Sequence, residues 1–136
     1  MSTFYLAGKF RDGMYLLNHI RDLEARGYHC IHKWMLFEGS TRAEKAINDV
    51  DGVSKANFLL AFLTDEKYMY RGTMAEIGAA LGYNNLASQH GLPTKKIYLV
   101  HPGMTEFTCF IHHPEITKYK TYESALAQIL VDFPPS

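Results

Sequence analysis

The sequence predicts an α/β fold: a single-domain, doubly wound sheet of flavodoxin-like or Rossmann-like type, with about five mostly parallel strands and helices on both faces. Three observations carry this. Five short apolar or β-prone runs, at residues 3–7, 28–31, 58–63, 97–100 and 115–119, alternate with stretches of helical periodicity. The run Phe58-Leu59-Leu60-Ala61-Phe62-Leu63 is apolar without alternation, as befits a strand covered on both faces. The chain of 136 residues shows no linker, repeat or low-complexity tract, so one domain spanning 1–136 is expected.

Each element has its own justification. Thr3-Phe4-Tyr5-Leu6-Ala7 is a β-prone run closed by Gly8. Residues 8–13 form a glycine-bounded loop with two cations, Lys9 and Arg11, followed by a helix with Leu16, Ile20 and Leu23 on one face and Gly27 as its stop signal. The stretch 33–39 has no clear period. Its aromatic and apolar residues, among them the only tryptophan, Trp34, suit either core packing or the wall of a base-binding pocket. Ser40 or Thr41 opens a second helix whose expected buried stripe is Ala43, Ala46, Ile47, Val50 and Val53. Asp49 lies beside that stripe near the expected helix end, where a carboxylate opposes the helix dipole. After the central strand, Tyr70, Arg71 and Gly72 lead into a third helix expected to start at Thr73. Its small residues, Gly78, Ala79, Ala80 and Gly82, are expected to pack closely on the sheet. Residues 84–93 read as a polar loop, 97–100 as the fourth strand and 115–119 as a fifth, edge strand. Thr121 opens a last helix with Ala125, Ile129 and Leu130 inward, stopped by Pro134 and Pro135.

Composition excludes several function classes. Fourteen basic and fourteen acidic side chains cancel, so no global field draws the chain to a nucleic acid polymer or an anionic membrane. The apolar runs are too short to span a bilayer and no basic segment with an apolar core opens the chain, so a cytoplasmic protein is expected. Cys30 and Cys109 are expected as free thiols. Neither they nor the seven histidines show metal-ligand spacing, so no metal or other cofactor is expected. His101, at the end of the fourth strand, either looks into the site or, the favoured reading, is a histidine satisfied at the core margin.

The chemistry is expected in the stretch from Tyr70 to Tyr83. Thr73 is placed as a helix cap with Glu76 in the first turn, where the dipole favours an ionised carboxylate suited to attack a sugar carbon. The same Thr73-x-x-Glu76 pattern is a capping box, in which Glu76 only satisfies a backbone donor. Placement after a strand of an open parallel sheet favours a ligand site. Residues 8–13 are not G-x-G-x-x-G and no P-loop occurs, so a dinucleotide or P-loop nucleotide site is not supported.

The segments Tyr5-Leu6-Ala7-Gly8-Lys9-Phe10, Asn48-Asp49-Val50-Asp51-Gly52-Val53 and Gly72-Thr73-x-x-Glu76-Ile77-Gly78 together resemble the nucleoside 2-deoxyribosyltransferase family and the related 2'-deoxynucleoside 5'-phosphate N-hydrolases. The resemblance implies that Glu76 is the nucleophile, that Asp49 contacts the deoxyribose or assists proton transfer, and that Tyr5 stands close to the glutamate. Gly8, Lys9, Phe10 and Arg11 then form the sugar-side loop, and Tyr70, Gly72 and Thr73 complete the substrate contacts. Tyr70 departs from the pattern, since the transferases tend to carry an aspartate there and the phosphate hydrolases a serine. The implied partners are a small deoxynucleoside or its 5'-monophosphate, a nucleobase, and further copies of the chain sharing active sites through the region of residues 106–110. Lys9 and Arg11 either grip a phosphate or form a solvated loop pair. Phe10 and Trp34 either sandwich the base or pack. Transfer of the deoxyribosyl group to another base, transfer to water, and a non-catalytic nucleotide-sensing module are the functional alternatives.

Overall fold

The computed structural model describes residues 1–37 and 39–135. β1 (Thr3–Ala7) leads through a 3-10 turn at Phe10–Asp12 into α1 (Gly13–Ala25) and β2 (His29–Cys30). A 3-10 turn at Trp34–Leu36 precedes α2 (Arg42–Lys55), β3 (Phe58–Phe62), α3 (Arg71–Gln89) and β4 (Lys96–Val100). A 3-10 turn at Cys109–His112, then β5 (Ile116–Tyr119) and α4 (Tyr122–Asp132), complete the chain. The five strands form one parallel sheet in the order β2-β1-β3-β4-β5. This is the predicted doubly wound class. β1 and β3 pair Tyr5 with Leu59 and Ala7 with Ala61, and the chain leaves these two strands toward opposite edges. Such a switch point opens a crevice at the carboxyl ends of the strands.

Side-chain alternation along β1 divides the core. Phe4 and Leu6 join the layer under α1 and α4, with Leu16, Ile20, Phe58, Tyr98 and Ile129. Tyr5 and Ala7 join the layer under α2 and α3, with Val53, Leu59, Ile77 and Leu99. All five residues of β3 are buried, which explains its unbroken apolar run. Gly27, at φ +100, follows the end of α1 in the left-handed region that a glycine tolerates without steric cost.

Several expectations are corrected. β2 spans only His29–Cys30 rather than 28–31. Thr41 does cap α2, in a reciprocal capping box with Glu44, but the predicted stripe is not buried. Ala43, Ala46, Ile47 and Val50 are exposed and, on this helix, only Gly52 and Val53 reach the interior, because only its C-terminal part lies against β1. α3 begins at Arg71, two residues before Thr73. Tyr70 precedes it in the left-handed conformation at φ 52, and its hydroxyl accepts the N–H groups of Thr64 (3.1 Å) and Asp65 (2.9 Å). That bond closes the loop early and sets the helix entry. Thr73 is therefore an interior residue and makes no capping box. α3 also runs through residues 84–89, which were expected as loop. Asn84 faces inward there, its amide donating to Lys95 O at 2.9 Å and accepting from Lys95 N at 2.7 Å. Gly78 and Gly82 have open space where a Cβ would stand, so they do not serve helix-on-sheet packing; Ile77, Ala80 and Leu81 do.

Lys95 ties three elements together. Its buried ammonium donates to Ser54 O and Ala56 O, both at 2.6 Å, at the C-terminus of α2, and lies 4.0 Å from the Tyr83 ring centroid on α3. The carbonyl end of a helix dipole is a natural site for a cation. Burial lowers the pKa of Lys95, and two charge-assisted hydrogen bonds offset that cost. Lys95→Ala is expected to destabilise the protein by roughly 2–4 kcal/mol, measured by urea unfolding, because two helix-end carbonyls lose their donor.

Candidate active site

A cavity of about 170 Å³ opens at the switch point. β1 supplies Tyr5 and, just beyond its end, Gly8 and Phe10. α2 supplies Asp49, and the segment from Tyr68 into α3 supplies Tyr70, Gly72, Thr73 and Glu76. Trp34 completes the wall, held by its indole N–H, which donates to Leu6 O at 2.7 Å. The structure thus brings eight of the ten predicted site residues to one place. The two others, Lys9 and Arg11, do not line the cavity. Lys9 is paired with Asp65 at 2.8 Å, and Arg11 is exposed in the 3-10 turn.

The centre of the site is a phenol between two carboxyls. Tyr5 is fully buried, and its hydroxyl makes no hydrogen bond among the described residues. Both Glu76 and Asp49 are nevertheless near enough to act on it. Burial, then the charges of the two acids, drive the Tyr5 pKa far above its ordinary value. Burial pushes the Glu76 carboxyl up to about 8, with Asp49 adding to the rise and Tyr5 opposing it. Burial also raises Asp49, against the opposing influence of Tyr5 and His32. Two acids around one hydroxyl titrate as a pair, so the site holds a proton at neutral pH.

Two expectations about these acids fail for a structural reason. Glu76 is the sixth residue of α3, beyond its first turn, and Asp49 is the eighth of fourteen residues in α2 rather than near its end. Neither is governed by a helix terminus. Desolvation replaces the dipole, and it favours the protonated form of Glu76 where ionisation was expected.

Sequence reasoning missed three residues: Tyr68, which lines the cavity, and His32 and Gly52, which act on its acids and its walls. His32, just beyond β2, places Nε2 3.4 Å from Asp49 Oδ1 and packs its ring 4.7 Å from that of Phe37. A lone histidine after a short strand carries no spacing signal. Gly52 lies where an added Cβ would stand 2.9 Å from Tyr5 Cδ2 and 3.2 Å from His32 Cβ. Only a residue without a side chain lets α2 come this close. Phe10 and Trp34 do not form a sandwich, since their ring centroids are 6.1 Å apart and the rings pack on each other. Tyr70 lines the cavity with its ring while its hydroxyl is used by the backbone. Thr73 is only 2% exposed and its hydroxyl has no hydrogen-bond partner among the described residues. His101 does not line the cavity; its Nε2 lies 2.7 Å from Thr105 O and its ring packs against Phe107. Cys30 is buried and Cys109 exposed, both as free thiols. Among the described residues no group of three or more His, Cys, Asp or Glu side chains could hold a metal ion, and no helix is long and apolar enough to cross a membrane.

The raised Glu76 pKa has a sign that can be measured. Between its ordinary value of 4.5 and about 8 the native state keeps a proton that the unfolded chain has released, so stability falls as pH rises through that window. Glu76→Gln is expected to be more stable than the parent at pH 8.5, by on the order of a few kcal/mol, with the gap closing toward pH 5 in urea unfolding curves.

No protein-family model matches the chain. The chain is 30% identical over 118 residues to a glutamine–fructose-6-phosphate aminotransferase (isomerizing) from Campylobacter jejuni subsp. jejuni; the match covers 87% of the chain but only 17% of that much longer protein. Two solved structures share its fold over nearly their whole length. One is a CMP N-glycosidase from Clostridium botulinum (TM-score 0.64, 16% identity, covering 96% of this chain and 99% of that one). The other is a 2-deoxyribosyltransferase from Leishmania mexicana (TM-score 0.68, 12% identity, covering 98% and 99%). At these identities the likeness is one of fold.

Proposed function

We propose that this chain is an enzyme of the nucleoside 2-deoxyribosyltransferase type, cleaving the N-glycosidic bond of a 2'-deoxynucleoside and passing the deoxyribosyl group to another nucleobase. The observation that carries the reading is the cluster of Glu76 and Asp49, both partly buried, around the fully buried Tyr5, in a cavity that four further aromatic rings help to line. A structural capping role for Glu76 is inconsistent with its place inside α3. A pure binding module has no use for two desolvated acids, which cost stability. The activities named for the two proteins of the same fold lie in the same chemistry.

The residues divide the work. Glu76 attacks the anomeric carbon through an oxocarbenium-like transition state, as the carboxylate of a retaining glycosidase does. The absence of a 2'-oxygen on the sugar makes that cation easier to form. Asp49 delivers a proton to the departing base, a role typically worth ~10²–10⁴ in rate. Tyr5 decides which acid is which. For attack, the proton that rests on Glu76 passes to Asp49; the Tyr5 hydroxyl, with a single proton to give, then donates to the ionised Glu76 and accepts from the protonated Asp49. Gly72, in the first turn of α3 and on the cavity wall, brings helix-start N–H groups that no carbonyl of the helix takes up, and these suit the sugar's 5'-hydroxyl. Phe10, Trp34, Tyr68 and Tyr70 line the cavity, and an acceptor base lying against these rings takes the place of water at the glycosyl ester, which favours transfer over hydrolysis. With Lys9 held by Asp65 and Arg11 outside the cavity, an uncharged nucleoside fits better than its 5'-monophosphate.

Incubation with a 2'-deoxynucleoside and a second free base is expected to give the exchanged nucleoside, resolved by chromatography. Glu76→Ala should reduce the rate at least ~10³-fold. Free base and deoxyribose without exchange would make the enzyme a hydrolase, faster turnover of the 5'-monophosphate would move it to the phosphate hydrolases, and binding without turnover would make it a sensor.

The same reading includes self-association. Ile47 and Val50 on α2 are 67% and 55% exposed, and Tyr83 and Leu86 on α3 are 40% and 60% exposed. Two adjacent helices on one face of the sheet thus present apolar side chains outward, the pattern of a surface covered by a second copy. Light scattering after size exclusion is expected to give at least a dimer, and Ile47→Asp with Val50→Asp is expected to give a monomer.

A further inference from the structure

Beside the cavity of Glu76, nearer the surface, lies a second one of about 110 Å³. The two share Phe10, Trp34 and Asp49 as lining residues, so they are neighbours with Asp49 on the wall between them. The outer chamber differs in chemistry from the inner one. Its flat walls are Trp34, fixed by its bond to Leu6 O, and Phe37, packed on His32. Its polar edge is made by Ser40, Lys45 and Asn48. Among the described residues, the side chains of Lys45 and Asn48 have no hydrogen-bond or ion-pair partner.

We propose that this chamber is the subsite for the leaving base, and that Asn48 and Lys45 make it selective for a single-ring base with a ring carbonyl, a pyrimidine. The inference rests on the glycosidic reading of the inner cavity and adds the substrate class to it. With the sugar against Glu76, a base on C1' enters the chamber past Asp49, which stands beside the bond to be broken.

Size and charge agree on the choice. A chamber this small, with one wall pinned to the backbone of β1, accepts one six-membered ring with its substituents. A fused bicyclic purine is too large for it and would leave part of its second ring in solvent beside Phe37, which is 47% exposed. The Asn48 amide offers a donor and an acceptor side by side, matching the alternating carbonyl, ring nitrogen and exocyclic group along a pyrimidine edge. Lys45 offers only donors and suits a carbonyl oxygen.

The reaction uses the same groups. As a Glu76 carboxylate oxygen forms its bond to C1', the C1'–N1 bond breaks and its electron pair enters the base. In a pyrimidine that charge spreads onto the ring carbonyl beside N1, where the Asp49 proton is delivered and the Lys45 ammonium is favourable. Purines leave most readily once protonated on their five-membered ring, and a nearby ammonium opposes that cation.

Binding to Glu76→Gln protein, which cannot turn over, separates the subsite from the chemistry. Calorimetric titration with deoxycytidine, deoxyuridine, deoxyadenosine and deoxyinosine is expected to show at least about tenfold tighter binding of the two pyrimidine nucleosides. Adding Asn48→Ala should reduce that preference about tenfold. Asn48→Asp, which exchanges donors for acceptors, should weaken deoxyuridine more than deoxycytidine. In otherwise unaltered protein, Lys45→Ala should lower kcat/KM for deoxyuridine at least about tenfold. Equal affinity for both base classes, or a preference indifferent to Asn48 and Lys45, overturns the subsite even if turnover is observed. Selective pyrimidine binding without turnover in the parent protein upholds the subsite and removes the glycosidic reading instead.

Discussion

The arrangement depends on how closely α2 approaches β1. Gly52 permits it, because any Cβ there would meet the Tyr5 ring and the His32 Cβ at about the limit of contact. The approach brings Asp49, one turn earlier in α2, up to the Tyr5 hydroxyl from one side while Glu76 of α3 meets it from the other. Burying two acids around one phenol is unfavourable for folding and useful for reaction. Desolvation raises both carboxyl pKa values, and the pair then retains a proton that can be assigned to either member. Packing elsewhere has to offset this cost, and the all-buried β3 and its two apolar layers are where it does so.

The loops around the site are braced by side chains rather than by extra secondary structure. Tyr70 accepts two backbone N–H groups, of Thr64 and Asp65 in the loop after β3, and so sets where α3 begins. Its ring lies edge-on to those of Tyr68 and Phe107, at 4.8 and 5.5 Å. Tyr70 and Phe107 are the non-glycine residues at positive φ among those described. Modest backbone strain at two contacting aromatics beside a cavity is a common way to hold functional geometry. The ion pair of Lys9 with Asp65 joins the β1 loop to the β3 loop over the same region, so a cation that sequence alone offered to a phosphate acts as a brace.

Lys95 and Asn84 have the corresponding role at the opposite end of the sheet. One satisfies the last carbonyls of α2, and the other couples α3 to the start of β4. The two helices that carry the acids are therefore held at both ends: by Gly52 and Tyr70 near the site, and by this polar cluster away from it. Their outward faces remain apolar and exposed, so the rigidity of the site and the surface available to another copy reside in the same pair of helices.

Much of this was determined by the sequence alone. Strand runs of period two or of unbroken apolar character, helix caps such as Thr41 and Thr121, and the glycine after α1 are local signals, and they specified the α/β class and nearly all the elements. The doubly wound class by itself brought the loops after β1 and β3 to one edge; Tyr5 and Asp49 were grouped with Glu76 only through the family resemblance, and the strand order of the folded sheet is what places all three at one crevice. What only the tertiary structure decided is environmental. Whether Ile47 and Val50 are buried depends on how much of α2 overlies the sheet, and periodicity cannot say which neighbour covers a stripe. Whether Thr73 caps a helix depends on Tyr70 reaching back to Thr64. Whether Glu76 is ionised depends on the dielectric made by residues from three elements. Local patterns encode a residue's conformational preference; its charge, partners and exposure belong to the packed whole.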